Sequence, residues 1–183
     1  MNFHLGGEYS HMPTFEKEKT KTLILLILNE FGSISKQNLN NIIYYLDVCH
    51  LVENGRYITK TLYYKTKGGF ISKDILSLIE EMKEHPFLME CNGSLKSFVT
   101  NSDYVRKYFI YSDEFSLSDM RTYIEFLKKS FESCNLNLSD SFQSVVFNPV
   151  WEQKKLHEEM TIHDSAKSTG DTALIEFLKT SYY

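Results

Sequence analysis

Proline and glycine are scarce in this chain, at 3 and 8 residues, while aromatics reach 14%, including 12 Tyr and 13 Phe. A disordered chain shows the reverse balance. Cysteine is scarce too. Cys49, Cys91 and Cys134 are far apart, odd in number and form no C-x-x-C pair. That argues against a disulfide scaffold or a zinc knuckle and for a reducing compartment. Each reads as a small core or boundary residue rather than a nucleophile. Long apolar runs are missing: the longest, Leu23 to Leu28, is far short of the roughly 20 residues a membrane span needs. The opening MNFHLGGEYSHMPT has neither a basic start nor an apolar run, so no targeting segment is read and a cytoplasmic protein is expected. A net charge of −4 gives the whole molecule no electrostatic footprint for nucleic acid.

What is present suits one domain. The 183 residues are 42% hydrophobic, enough for a real core. Residues 1–13 read as an irregular tail, with His11-Met12 resembling a cloning remnant, and the domain is expected over 14–183. A first helix is expected over Thr14 to Phe31, capped by Thr14, apolar all round in its middle and stopped by Gly32. A second runs from Lys36 to Glu53 behind Ser35 and ends at Asn54-Gly55. Residues 56–71 read as a strand or extended crossing with a turn at Gly68-Gly69. A third helix follows Ser72 and stops before Pro86.

Phe87 to Cys91 and Leu95 to Val99 flank Asn92-Gly93, the signal of a type I′ hairpin, and Tyr104 to Tyr111 supplies a candidate further strand. Ser116-x-x-Asp119 resembles a capping box before a helix carrying Tyr123, Ile124, Phe126, Leu127 and Phe131. Ser139 caps a short helix, Pro149 opens another with Trp151, and a last one covers Thr172 to Lys179. The expected fold is mainly α with a small β hairpin or sheet (α+β), a compact single-domain bundle of about six to seven helices.

The stretch from Ile24 to Met82 resembles the Panacea (SocA-like) antitoxin domain. That family's pattern has a helix ending in LNxFGG, then KxLxKLLYFADxxHxxxGRxITG. Here Leu28, Asn29, Phe31, Gly32, Lys36, Leu39, Ile42, Ile43, Tyr44, Tyr45, Asp47, His50, Gly55, Arg56, Ile58 and Thr59 match it. Phe115-Ser116-Leu117-Ser118, and Leu138-Ser139 with Pro149 and Trp151, resemble later family segments more weakly. The likeness spans about residues 20–165. Two features depart from it: the family's Gly-Pro-Val turn is Gly68-Gly69-Phe70, and Phe147 lies near the place of a usual His. The resemblance implies a binding role. Such antitoxins neutralise unrelated toxins by direct contact, some members hand the toxin to a protease, and the domain is not known as an enzyme.

One local asymmetry offers a surface for this. From Asn54 to Lys73 the chain holds Arg56, Lys60, Lys65, Lys67 and Lys73 with no acidic residue, interleaved with Tyr57, Tyr63, Tyr64 and Phe70. One reading is a docking patch for an acidic partner or a phosphate backbone; the other is a solvated face whose aromatics belong to the core. The residues expected to face a partner are Arg56, Tyr57, Lys60, Tyr63, Tyr64 and Lys67. The expected partner is a cognate protein toxin, or another protein if the scaffold serves as an adaptor or inhibitor of phage or mobile-element descent. A further alternative is a winged-helix regulator whose second helix reads DNA with Gln37, Asn38, Asn40, Asn41 and Asp47, although too few cations accompany them.

No catalytic residue, cofactor or metal is expected. His157 and His163 are six apart, not at metal-ligand spacing on a helix, and with Glu158, Glu159 and Asp164 read as a polar helix end. Asp47 and His50 are three apart and so within reach of each other, more as a structural hydrogen bond than as an acid–base pair. Trp151 reads as a core anchor.

Overall fold

The computed structural model describes residues 14–85, 87–97, 117–133 and 149–181. Among these the chain is mainly helical with two small antiparallel sheets. The helices are α1 (Thr14–Phe31), α2 (Lys36–Asn54), α3 (Lys73–Glu84), α4 (Leu117–Ser133), α5 (Pro149–Gln153), α6 (Ile162–Thr169) and α7 (Thr172–Ser181). The strands are β1 (Ile34–Ser35), β2 (Tyr63–Thr66), β3 (Gly69–Ile71), β4 (Leu88–Cys91), β5 (Ser94–Ser97) and β6 (Glu159–Met160). None of these helices is long and apolar enough to cross a membrane.

Helix α1 is the hub, as its apolar middle requires. Every residue from Thr20 to Leu28 is buried, with α2, α3, α4 and β5 packed around it. A helix apolar on all sides gains only when it is enclosed on all sides. Its one buried cation, Lys21, is matched by Glu18 at 2.9 Å and Glu81 at 2.6 Å. Gly32 closes the helix at φ 75°, donating to the Leu28 carbonyl.

One sheet has the order β1-β5-β4. Its hairpin turns at Asn92 (φ 50°) and Gly93 (φ 76°), the positive pair that a two-residue I′ turn demands. The third strand is β1. The segment at 104–111, the tail and the expected helix at Ser139 lie outside the described residues. The second sheet has the order β3-β2-β6. Its hairpin turns at Lys67-Gly68, one residue earlier than expected, and Gly69 opens β3.

The region read as a polar helix end is instead β6 followed by α6. Thr161 and Asp164 form a reciprocal capping box, and Gly170 stops the helix in the left-handed conformation. His157 sits in the preceding turn at φ 67°. No group of three or more His, Cys, Asp or Glu among the described residues is placed to hold a metal.

Candidate partner-binding site

The crossing between α2 and α3 is built on a polar stripe of α2. Gln37, Asn40, Asn41, Asp47 and His50 lie three or four residues apart along one side, apart from a step occupied by Tyr44, and all five reach the 56–72 segment or its flanks. His50 Nδ1 donates to the Arg56 carbonyl at 2.8 Å. Asp47 accepts from Thr59 N at 3.0 Å, Thr59 Oγ1 at 2.5 Å and Tyr63 OH at 2.6 Å. Asn41 accepts from Phe70 N at 2.9 Å and donates to the Gly68 carbonyl at 2.9 Å. Gln37 donates to the Phe70 carbonyl at 2.8 Å, and Asn40 accepts from Ser72 N at 2.9 Å.

Gln37, Asn40 and Asn41 satisfy the free edge of β3 as a fourth strand would. A buried backbone donor left unpaired costs about 1–3 kcal/mol, so the stripe fixes the crossing in one register. Close approach of α2 also explains Gly69. Its φ is 126°, and a Cβ there would meet Asn41, with Cγ at 2.8 Å.

The ionisable members of the stripe are shifted by burial. Asp47 is fully buried, and desolvation pushes its carboxyl up to about 6 in spite of its hydrogen-bond donors. Burial lowers His50, against the raising effect of its hydrogen bond to the Arg56 backbone and together with the nearby Arg56 and Lys19 charges. Asp47 and His50 bond different partners. Each holds a different part of the crossing.

The structure divides the expected partner-facing residues. Tyr57 and Tyr63 are buried, 7% and 0% exposed, so neither is on a surface. Tyr63 packs edge-on to Tyr44 at 5.0 Å and to Tyr57 at 6.0 Å, and Tyr44 stacks on Phe70 at 3.9 Å. Tyr44 and Tyr57 both bond Ser165, which fastens α6 to the crossing. The polar tips of these rings thus find partners inside the core, as buried Tyr requires. Lys60 and Lys67 are exposed, and Arg56 and Tyr64 are half-buried.

Lys65, counted in the basic stretch, is also withdrawn from the surface. Its ammonium donates to the carbonyls of Trp151 at 2.8 Å, Glu152 at 3.3 Å and Lys154 at 2.7 Å, and lies 3.9 Å from the Trp151 ring centroid. It acts as a cationic cap on the C-terminus of α5. Trp151 is half-buried, with its indole N–H on the Gly69 carbonyl at 3.2 Å.

The same inward commitments take up three of the five α2 residues named for reading DNA. Asn40, Asn41 and Asp47 are buried and bond the protein's own backbone in the crossing, where the winged-helix reading would have them at base edges. Comparison with family models, with curated proteins and with solved structures finds no match.

The outward residues share a strand parity. Burial alternates from Lys60 to Lys65, with Thr61, Tyr63 and Lys65 inside and Lys60, Leu62 and Tyr64 toward solvent. Tyr64 stands opposite Ile71 on β3 and Glu159 on β6, so these three share the outer sheet face. Sequence reasoning singled out neither Leu62, 50% exposed, nor Ile71. Alternation about the inward tyrosines was the signal that could have found them.

Proposed function

We propose that this protein is an antitoxin that neutralises a cognate protein toxin by direct contact through the crossing between α2 and α3. The observation that carries the reading is the division of that crossing. One parity of side chains is locked into α2, and the other presents Lys60 and Tyr64, flanked by Arg56 and Lys67, on a rigid support. A preorganised cationic and aromatic surface suits binding because little side-chain and backbone freedom remains to be lost. The Panacea-like residues agree with this reading. Leu39, Ile42 and Ile43 are core, and two contacts cross the α2–crossing junction, His50 with the Arg56 carbonyl and Asp47 with Thr59. The polar groups that could suggest acid–base chemistry, Asp47 and His50, are enclosed by protein, which favours binding over catalysis at this site.

The test is co-expression with the product of the adjoining gene, read as survival. The wild-type chain is expected to rescue growth. Arg56→Glu with Lys60→Glu is expected to abolish rescue while leaving the thermal midpoint of the purified protein within a few degrees. An adjoining product that is harmless, or rescue unaltered by the double reversal, overturns the assignment of toxin neutralisation to this surface.

A further inference from the structure

The outer face of the β3-β2-β6 sheet has an apolar centre and a basic border. Leu62, Tyr64 and Ile71 form the centre, with Leu62 half exposed. Lys73 is exposed and holds its ammonium 5.4 Å from the Tyr64 ring centroid; Lys67 is exposed at the hairpin tip. Among the described residues neither of these two lysines is ion-paired, whereas Lys17, Lys21, Lys36, Lys83, Lys128, Lys154 and Lys179 all are. Glu159, beside Tyr64 on β6, and Asp74, which accepts from Thr61 Oγ1 at 2.8 Å, are acids whose charges act on Tyr64.

Backbone strain occurs at the same place. Lys60 has a left-handed φ of 54°, a conformation costing about 1 kcal/mol for a residue with a Cβ. It lies two residues before Leu62, on the same outward parity. An exposed Leu by itself needs no explanation; one framed by an aromatic ring, two lysines with no ion pair among the described residues and a strained backbone does.

We propose that this sheet face is the recognition site for an acidic segment of a partner protein, one that seats a single aliphatic or aromatic side chain on Leu62, Tyr64 and Ile71 and lays carboxylates against Lys67 and Lys73. The inference rests on the binding role proposed above and specifies its chemistry. Apolar contact supplies the affinity, because desolvated anchors carry most of the energy of an interface. The lysines supply selection and attraction over distance, because rim charges act mainly on encounter and on rejecting partners of like sign.

The full chain is used to select from a display library of random peptides of about 12 residues. Enriched peptides are expected to carry one Leu, Phe, Trp or Met flanked by at least two Asp or Glu. Synthetic versions are then titrated into the wild-type protein, into Leu62→Ala and Leu62→Glu, and into Lys67→Glu with Lys73→Glu. Affinity is expected to fall on the order of tenfold in Leu62→Ala and further in Leu62→Glu. It is also expected to weaken between about 0.05 and 0.5 M NaCl in the wild type, with most of that salt dependence gone in the double Lys variant. Leu62 is on the surface, so both variants should fold, and Leu62→Ala is the milder check.

Enrichment of basic or neutral peptides, no enrichment, or affinity indifferent to Leu62 overturns the inference. So does a labelled DNA duplex that binds at low salt and is lost in the double Lys variant, since the face would then serve phosphates. The two proposals fail separately. Toxin rescue unaffected by Leu62→Glu sinks this surface and spares the antitoxin reading, while acidic-peptide selection without toxin rescue does the reverse.

Discussion

Replacing Asp47 by Asn tests the central contact of the α2 stripe through its dependence on pH. The wild-type carboxyl is fully buried, accepts three hydrogen bonds and is pushed by desolvation from an ordinary 3.8 to about 6. Between these values the native state binds more protons at Asp47 than the unfolded state does. Stability from this group is therefore greatest at low pH and falls as pH rises through the window from about 4 to about 6. A shift of about two units amounts to about 3 kcal/mol over that window. Asn has no charge to desolvate; against the neutral carboxyl present at low pH it replaces a hydroxyl that can accept as well as donate by an NH2 that only donates, so it is the weaker acceptor for Thr59 and Tyr63.

The variant is expected to be less stable than the wild type at pH 4, with the gap narrowing by about 3 kcal/mol by pH 8. Urea unfolding of both proteins at a series of pH values measures this, because subtracting one curve from the other removes the titration of distant carboxylates such as Glu81 and Glu90. A gap that is flat with pH, or one that widens as pH rises, would show that the donors outweigh burial and refute the reasoning.

Three further outcomes follow from the packing. Gly69→Ala should cost more than about 2 kcal/mol, from its positive φ and its approach to Asn41; adding Asn41→Ala should cost less than the sum of the two changes, read by a double-mutant cycle in urea. Lys65→Met should release the C-terminus of α5 and shift the emission of Trp151, the only tryptophan, to the red, while an unchanged spectrum would count against the carbonyl cap. Tyr57→Phe and Tyr63→Phe should each lose about 1–2 kcal/mol of stability yet leave peptide affinity within about twofold, because both hydroxyls are spent inside the core; a large loss of affinity in a folded variant would return them to the binding surface.

Helix boundaries were legible because their causes are local. Ser35 accepts from Asn38 N, Ser72 accepts from Ile75 N, and Gly55 donates back to the Leu51 carbonyl, each within four residues in sequence. The same chemistry, Thr161 with Asp164 and then Gly170, bounds α6, where His157 and His163 with their acidic neighbours resemble a polar helix end instead. Strands β1 and β6 have two residues each, too few to display a period, and exist only through partners far along the chain: Ile34 opposite Leu95, and Met160 opposite Tyr63.

By itself the sequence determined a helical core around an apolar α1, the stops between helices, the I′ hairpin, and a basic, tyrosine-rich crossing after α2. Only the tertiary structure decided which of those tyrosines and lysines face outward. In an extended segment successive side chains point to opposite sides, so one residue of register separates core from surface. That register is set by Asn41, Asp47 and His50 bonding the crossing across a helix interface, contacts that no local pattern encodes.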